Sequence, residues 1–341
     1  MRSTGAQTEV TPEAAMTRAG ELARSANPHP NPRVGAVMIA TDGGLVGEGH
    51  HSAFRQPHAE ANALSEAGER ARGATLVVTL EPCNHHGNTP PCTEAIVAAG
   101  VSKVIVGAGD PDERVRGRGI ERLRQSGIEV VVIDPPMEWL DPAYFHHRRT
   151  GRPLVILKLA ATLDGQTSAA DGTSQWITAE EARTDAHRLR AEADAIVIGA
   201  GTLRADDPRL DVRIEGYTGH QPRPVVIAGR RPLPPSARAL HRNGLVLGTG
   251  ESPVDLDGAL MEMSEEGLLS ILVEGGPTLA ASFLAADLVD QGVLYLAGKL
   301  AGGVGRPLFD RPWPSLESAR QVTIDRVTTL GPDLRIDFTP I

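Results

Sequence analysis

The sequence predicts an α/β protein with two domains. At 341 residues the chain is long enough to form two hydrophobic cores of ordinary size. Predicted strands and helices alternate in both halves, as is typical of sheets covered by helices. The alternation breaks at Asp134-Pro135-Pro136, and a new apolar strand follows Gly151-Arg152-Pro153. We therefore predict a first domain over residues 1–148 and a second over residues 149–341.

The first half begins with a helix and a hairpin. Thr11-Pro12-Glu13 combines a capping residue, a proline and a first-turn acid, which predicts a helix to about Ala26. Strands at 34–40 and 45–49 are joined by Thr41-Asp42-Gly43-Gly44, a hairpin turn. Helices then alternate with strands, the helices at about 59–67, 92–99 and 119–126 and the strands at 75–80, 103–106 and 129–133. We expect a sheet between helices, with its site at the carboxyl ends of the strands.

The second half mixes strands and helices in the same way. Thr178-Ala179-Glu180-Glu181 is typical of a capping box and predicts a helix to about Glu192. Glu274-Gly275-Gly276-Pro277-Thr278 lies between a strand and an apolar helix over 279–285, so it is either a plain turn or an anion site. A Rossmann domain is not supported, because the Gly-x-Gly-x-x-Gly fingerprint is absent. The predicted strands are 154–159, 195–199, 225–228, 245–247, 270–273, 293–296 and 334–338.

Three short segments carry the strongest functional signal: His58-Ala59-Glu60, Leu80-Glu81-Pro82-Cys83 and Pro90-Pro91-Cys92. One imidazole and two thiolates suit a zinc ion with an open fourth position, and a nearby Glu can move protons. Zinc deaminases show this order of residues, here with eight residues between the cysteines. A disulfide or two buried thiols would explain the cysteines alone. Both cysteines of the chain, however, lie inside the motif.

Four further histidines, His50, His51, His85 and His86, are competing ligands. Because His85 and His86 lie in a predicted loop, we expect these two to line a pocket or face solvent. Two other stretches have open interpretations. Thr202 to Pro208 ends in paired acids and is equally well explained as a capped turn or a functional loop. Trp176 lies in a loop, where it could fill a gap or cover a ring.

Composition disfavours several classes of function. A net charge of −9 argues against a general nucleic-acid binder. The basic clusters at 114–124 and 148–152 are first interpreted as solvated surface, although either would suit a phosphate on a small substrate. No apolar run approaches the ~20 residues of a membrane helix, and Met1–Val10 lacks the apolar core of a signal peptide. Two cysteines give no disulfide framework, which indicates a reducing compartment. From these observations together we expect a cytoplasmic protein that binds neither membranes nor nucleic acid.

Taken together, these motifs resemble the bifunctional deaminase-reductase family of riboflavin biosynthesis, over nearly the whole chain. Besides the zinc motif, the N-terminal marks are Pro30-Asn31-Pro32-Arg33-Val34-Gly35, Val46-Gly47-Glu48-Gly49 and His86-Gly87-Asn88-Thr89. The C-terminal marks are Lys158-Leu159-Ala160, Leu163-Asp164-Gly165, Ser174-Gln175-Trp176-Ile177, Gly201-Thr202, Ala205-Asp206-Asp207-Pro208 and Glu274 to Thr278. The resemblance implies a cytidine-deaminase-like three-layer α/β/α domain followed by a dihydrofolate-reductase-like α/β domain.

The resemblance also implies two reactions. The first is zinc-dependent hydrolytic deamination of 2,5-diamino-6-ribosylamino-4(3H)-pyrimidinone 5′-phosphate, a small phosphorylated pyrimidine. The second is NADPH reduction of the ribosyl side chain to ribityl, which gives 5-amino-6-(5-phosphoribitylamino)uracil. One Zn²⁺ per chain would be held by His58, Cys83 and Cys92, with Glu60 as the catalytic proton shuttle and Asn31 orienting the pyrimidine. A homodimer or a higher homo-oligomer is a further family expectation.

For the second domain the resemblance implies two sets of contacts. The NADPH contacts are Ala160, Trp176, Thr202, Asp206, Gly229, Gly276, Pro277, Thr278, Leu279, Ala280, Ala281 and Ser282. The substrate contacts are Ser174, Arg190, Leu210, Arg213 and Glu274, and the arginines suit a 5′-phosphate. The chain departs from the family pattern at several positions. Asp112-Glu113 stands where Asn-Pro is usual, and Asp211 stands where Thr is common.

Three rival functions remain at this stage. The chain could be another zinc deaminase, acting on a nucleoside or a tRNA base, although its acidic charge disfavours tRNA. It could carry a structural zinc ion in a scaffold or regulatory protein, although such sites normally have four protein ligands and only three are evident. It could also combine an active deaminase with an inactive reductase. Lys158 and Asp206 are candidate acids for the reductase step.

Overall fold

The structure, a computed structural model, describes residues 9–87 and 89–341. The chain forms two compact units that meet in sequence at Thr150 and Gly151. None of the helices in the described residues is both long and apolar enough to span a membrane. The prediction made for Met1–Val10 falls mostly on Met1–Thr8, which lie outside the described residues.

The first unit is a five-stranded sheet with helices on both faces. Its strands are β1 (Gly35–Ile39), β2 (Leu45–His50), β3 (Thr75–Val78), β4 (Lys103–Val106) and β5 (Glu129–Val132). Its helices are α1 (Pro12–Arg24), α2 (Ala59–Ala67), α3 (Cys92–Ala98), α4 (Arg118–Gln125) and α5 (Pro142–Thr150). The sheet order is β2-β1-β3-β4-β5, with β1 antiparallel to β2 and β3 and the last three strands parallel.

Apolar side chains alternate between the two faces of this sheet. Met38 and Leu76 pack with Ala63 of α2, on the face that also buries α3 and α4. Val37 packs with Ala19 of α1 on the opposite face. The three-layer arrangement is therefore confirmed. The helices and strands predicted for this half are also confirmed, to within about two residues at each end. The sequence analysis did not predict α5.

Helix α2 lies directly against the hairpin because β2 presents glycines to it. A Cβ atom on Gly49 would lie 2.2 Å from the carbonyl oxygen of Ala59. A Cβ atom on Gly47 would lie 2.3 Å from the carbonyl oxygen of Ala63. No side chain fits in this space, so the two glycines fix how closely the helix approaches the sheet. Since His58 occupies the N-cap position of α2 and Glu60 lies in the first turn, this approach also positions both functional side chains.

The second unit is an eight-stranded sheet with mostly parallel strands. Its strands are β6 (Leu154–Thr162), β7 (Ala195–Gly199), β8 (Arg223–Gly229), β9 (Leu245–Thr249), β10 (Ser270–Val273), β11 (Gln291–Ala297), β12 (Val322–Leu330) and β13 (Asp333–Pro340). Its helices are α6 (Glu180–Glu192), α7 (Ala200–Asp206), α8 (Leu256–Glu265) and α9 (Pro277–Ala285). The strand order is β12-β13-β11-β6-β10-β7-β8-β9, with only the β11-β13-β12 pairings antiparallel. Helices α8 and α9 cover one face, where Leu260 and Phe283 are fully buried, and α7 packs on the other through Leu203.

Some local predictions for this unit were wrong. The capping box at Thr178–Glu181 is not formed: Ala179 precedes α6 without a side-chain cap, and its N–H donates to the Asp333 carboxylate at 2.6 Å. A carboxylate 154 residues away therefore replaces the local cap. Three elements, α7, α8 and β12, were not predicted, and for the last two the reason is physical. Helix α8 contains Gly258, which weakens a helix signal, and β12 is an exposed edge strand with no buried face.

Candidate active sites

The predicted zinc ligands come together in the first unit. His58 occupies the N-cap position of α2, Cys83 follows β3 in a loop, and Cys92 opens α3. The His58 Nδ1 atom lies 3.6 Å from Cys83 Sγ and 3.3 Å from Cys92 Sγ. A tetrahedral zinc ion with bonds of about 2.1 Å to nitrogen and about 2.3 Å to sulfur separates such atoms by about 3.6 Å. The donor set and its spacing therefore fit zinc.

Among the described residues, this His–Cys–Cys cluster contains none of the four competing histidines. His51 has a different role that the sequence analysis did not assign. Its Nδ1 lies 3.1 Å from the Pro57 carbonyl oxygen, so Nδ1–H donates there, and Nε2 accepts from the Asn31 amide nitrogen at 2.9 Å. Because the nitrogen of the Asn31 amide is held by His51, its oxygen remains for a ligand. The Asn31 side chain lines the cavity that contains the zinc ligands, as its predicted role requires.

Glu81 holds the loop that carries Cys83. Its side chain is buried and accepts four backbone N–H groups: from Asp110 at 3.2 Å, Gly117 at 3.0 Å, Gly119 at 2.9 Å and Ile120 at 3.2 Å. Two of these donors belong to the first turn of α4, where a helix has N–H groups without helical partners. The negative charge also lies at the positive end of that helix. Glu81 therefore joins the metal loop to α4.

Gly119 brings the same two segments into contact. A Cβ atom at this position would lie 1.9 Å from the Pro82 carbonyl oxygen, one residue before Cys83. A side chain would therefore push α4 away from the metal loop. The sequence analysis assigned no role to Glu81 or Gly119. The signal that could have found them is a Glu two residues before a ligand Cys, together with a Gly in the first turn of a helix.

The two thiols interact directly with each other. The Cys92 backbone N–H points at Cys83 Sγ, 3.4 Å away. Hydrogen bonding from Cys92 and His58 lowers the pKa of the Cys83 thiol to about 4. The pKa of Cys92 is raised instead, by its interaction with Cys83 and by burial. The pair, with the His58 imidazole and the Cys92 N–H beside it, therefore favours a thiolate, which is the form that binds a metal.

Glu60 is the buried acid of this site. Its side chain is 3% exposed, and burial raises the pKa of the carboxyl to about 7, with a further contribution from Cys83. A carboxyl with a pKa near neutrality can both accept and donate a proton. It shares a cavity of about 300 Å³ with His58, Cys83 and Asn31. The cavity is thus large enough for a small ring and has acid–base chemistry next to its metal ligands.

The second unit contains two larger cavities. One, of about 970 Å³, opens at the N-termini of α7 and α9. Seven of the predicted cofactor contacts line it: Thr202, Gly229, Gly276, Pro277, Thr278, Leu279 and Ser282. Helix α9 has nine residues and begins directly after Gly276, as the strand–turn–helix pattern predicted. Its first N–H groups and its dipole suit a phosphate.

The other cavity, of about 650 Å³, contains the remaining polar cluster. Its lining includes four of the predicted substrate contacts, Ser174, Arg190, Arg213 and Glu274, and two of the predicted cofactor contacts, Ala160 and Trp176. Four predicted residues line neither cavity of this unit: Asp206, Leu210, Ala280 and Ala281. Of these, Asp206 is exposed at the end of α7, and the other three are core residues.

A buried ion pair organises the smaller of these two cavities. Arg190 donates to both carboxylate oxygens of Glu274, at 2.6 and 2.9 Å, and Lys158 Nζ lies 3.6 Å from the same carboxylate. Burial raises the Glu274 pKa, but Arg190 and Lys158 lower it more, to about 2. His187, which the sequence analysis did not single out, has its pKa lowered to about 4 by burial and by Arg190. At neutral pH the cluster therefore holds a carboxylate, two cations and a neutral imidazole.

Asp211, one of the departures from the family pattern, is neutralised by its neighbours. It pairs with Arg213 at 2.7 Å and Arg209 at 2.9 Å, and its backbone oxygen accepts from Arg190 at 3.0 Å. Burial raises the Asp211 pKa, but the two cations lower it more, so the carboxylate is ionised. Arg213 is therefore already paired in the structure, which reduces the charge that it offers to a phosphate.

Comparisons with known proteins agree with these sites. The family model for the cytidine and deoxycytidylate deaminase zinc-binding region matches residues 10–108, and that for the RibD C-terminal domain matches residues 153–336. The riboflavin biosynthesis protein RibD of Escherichia coli (strain K12) is 39% identical, over 94% of this chain and 96% of that protein. RibD of Mycobacterium tuberculosis (strain H37Rv) is 40% identical, over 91% of each chain.

The chain belongs to the RibD family. Solved structures agree: Acinetobacter baumannii RibD, form 2, matches with a TM-score of 0.89 at 36% identity, covering 97% of this chain and 99% of that one. A Thermotoga maritima structure matches with a TM-score of 0.87 at 31% identity and the same coverage. Its title names a diaminohydroxyphosphoribosylaminopyrimidine deaminase/5-amino-6-(5-phosphoribosylamino)uracil reductase.

Membership confirms the fold and the general activity inferred from the sequence. The chain has a cytidine-deaminase-like zinc-binding domain and a RibD reductase domain with a dihydrofolate-reductase-like fold. It is a bifunctional deaminase and reductase of riboflavin biosynthesis. A stand-alone zinc scaffold and a tRNA deaminase are therefore set aside.

Proposed function

We propose that the first unit deaminates 2,5-diamino-6-ribosylamino-4(3H)-pyrimidinone 5′-phosphate. The observation that carries this proposal is the His58–Cys83–Cys92 cluster, of which His58 and Cys83 line one cavity with the buried Glu60. Zinc, held by these three residues, would supply a Lewis acid that lowers the pKa of a water molecule. The substrate is the one named for the deaminase of the similar Thermotoga maritima protein, in its phosphorylated pyrimidine form.

The protein side chains would then position the ring and move protons. Glu60 accepts a proton from the attacking water and passes it to the ring nitrogen, as its pKa near neutrality allows. It then takes the second proton from the new hydroxyl group and passes it to the departing amine, which leaves as ammonia. Asn31, fixed by His51, presents its amide oxygen to the pyrimidine. Burial of Glu60 excludes bulk water, which strengthens these interactions.

For the second unit we propose that NADPH binds in the larger cavity, with its phosphates at the start of α9. NADPH would supply the hydride that reduces the ribosyl group to ribityl. The proposed substrate position is the cavity that contains Arg190, Glu274 and Lys158. There Arg190 and Lys158 offer positive charge, and Glu274 keeps both cations in place. Lys158 is the better candidate for the acid at the sugar oxygen, because Asp206 does not line this cavity.

A coupled assay tests both halves. Zinc-loaded protein is given the diamino substrate, with and without NADPH, while ammonia release and NADPH absorbance are followed together. We expect ammonia in both reactions, and NADPH oxidation only after ammonia appears. Supplying the deaminated intermediate directly should restore immediate NADPH oxidation. Ammonia release without any NADPH oxidation, even from the supplied intermediate, would instead indicate an inactive reductase.

Other predictions remain part of the proposal. We keep domain limits of 1–148 and 149–341, close to the division between the compact units. We propose a cytoplasmic location, because both cysteines are free and would serve as thiolates in a reducing compartment. We also propose a homodimer or a higher homo-oligomer, which light scattering on the purified chain would test. Neither nucleic acid nor a membrane is a proposed partner.

A further inference from the structure

A cluster of charged residues lies in the wall of the deaminase cavity, and the proposed chemistry gives it no role. Asp112, Arg114 and Arg148 line the same cavity as His58 and Glu60. The arginines belong to the two basic clusters whose first interpretation was solvated surface. The structure brings one member of each cluster to a single carboxylate.

Asp112 accepts three hydrogen bonds from Arg114. Its Oδ1 accepts the Arg114 backbone N–H at 2.9 Å and Nε at 3.0 Å, and its Oδ2 accepts Nη2 at 2.7 Å. The Asp112 side chain is only 9% exposed. Hydrogen bonding from Arg114 lowers the pKa of Asp112 to about 2. The carboxylate is therefore ionised at neutral pH, and its charge is balanced first by Arg114.

Arg148 is held differently. Its Nε lies 3.6 Å from Asp112 Oδ2, and its guanidinium lies over the Tyr144 ring, 5.2 Å from the centroid. Tyr144 is itself fixed, because its hydroxyl donates to Asp110 at 3.0 Å. In the described part of the chain, the two terminal nitrogens of Arg148 have no hydrogen-bond partner. The Nε side of the guanidinium thus faces Asp112, while its two terminal nitrogens still have N–H groups to donate. The side chain is 31% exposed, so a ligand can reach these donors.

We infer that Arg148 binds the phosphate of the substrate in the deaminase cavity, with Arg114 at its side. This inference rests on the proposed function, in which the pyrimidine carries a 5′-phosphate. Two parallel N–H donors match two phosphate oxygens, and the aromatic face and Asp112 hold them in position before binding. Arg148 is thereby a specificity-determining residue: it selects the phosphorylated compound over the same compound without phosphate.

The test is ammonia release by the zinc-loaded full chain, from the phosphorylated substrate and from its dephosphorylated form. For Arg148→Met we expect kcat/KM on the phosphorylated substrate to fall about 10- to 100-fold, mainly through KM. Activity on the dephosphorylated compound should change by less than about threefold. Arg148→Lys should give an intermediate loss, because it keeps the charge without the paired donors.

Arg149→Met is the matched control. Arg149 is the next residue on the same helix, pairs with Glu138 at 2.6 Å and does not line the cavity, so both activities should stay within about twofold. Equal losses on both substrates in Arg148→Met, or no loss on the phosphorylated one, would overturn the inference.

A binding measurement separates this inference from the proposed function. If the wild-type chain releases no ammonia from either compound, the proposed deamination fails. Calorimetry with the deaminated 5′-phosphate and with its dephosphorylated form then decides the role of Arg148. Weaker binding of only the phosphorylated ligand in Arg148→Met supports the inference, and identical binding to the wild type refutes it.

Discussion

Replacing Glu81 by Gln should destabilise the first unit and weaken its metal site. The carboxylate accepts four backbone N–H groups, two at each oxygen. Gln keeps one oxygen and turns an NH₂ group toward the other two donors, so two hydrogen bonds to a charged acceptor are lost. At about 1.5–3 kcal/mol each, the free energy of unfolding should fall by about 3–6 kcal/mol. Zinc affinity should fall as well, because Cys83 lies two residues further along the chain.

The measurement is urea unfolding of the full-length chain without zinc, so that metal binding does not mask the loss of stability. Unfolding is followed by hydrogen–deuterium exchange in peptides from residues 103–133. Competition with a chromophoric chelator gives the zinc affinity. Glu113→Gln is the control, since this residue is exposed and the charge change is identical. A loss for Glu81→Gln of less than about 1 kcal/mol, similar to a surface substitution, would refute the assigned role.

Three further predictions concern the two sites. Glu60→Gln should retain zinc, measured by metal analysis, yet lower the rate of ammonia release about 10²- to 10⁴-fold, because the proton shuttle and not the metal is removed. A wild-type rate in this variant would contradict the role of Glu60 as proton shuttle. His58→Ala should lose zinc as well as ammonia release, and dialysis against a chelator followed by zinc addition should restore the wild type but not the variant. Glu274 contributes stability that is present above the unfolded-state pKa of about 4.5 and lost as pH falls toward its folded-state value of about 2. Thermal unfolding of Glu274→Gln should therefore show lower stability than the wild type at pH 7, because Arg190 loses its carboxylate partner. The stability of the variant should also depend less on pH between about pH 4.5 and 2. A pH dependence equal to that of the wild type would exclude this contribution.

The candidate zinc site could be predicted almost completely from sequence. Its three ligands and its acid lie in three short segments, each next to the start of a helix or the end of a strand. Alternating helices and strands bring such ends to one edge of a sheet, so residue type and spacing were sufficient. What the sequence did not reveal was the support of this site. The contacts of Glu81 with Gly119 and of His51 with Asn31 link residues 38 and 20 positions apart.

The reductase half shows where the prediction was less complete. Its family residues were named as a cofactor set and a substrate set, and the two cavities largely follow this division. Ala160 and Trp176 of the cofactor set, however, line the cavity of the substrate set, and Asp206, Leu210, Ala280 and Ala281 line neither cavity. The capping box at Thr178 is not formed, and the Asp333 carboxylate at the start of β13 accepts the Ala179 N–H instead. Local patterns carry no information about such distant partners.

The amino-acid sequence by itself determined the two-domain α/β organisation, the candidate zinc ligands and the family, because each of these depends on residue types within a short stretch of chain. The tertiary structure decided which charges meet. Arg148 and Arg114 belong to separate basic clusters, and only the packing of α5 beside the loop before α4 places both at Asp112. Electrostatic energy depends on distance in space and on burial, and neither quantity is written in the order of the residues.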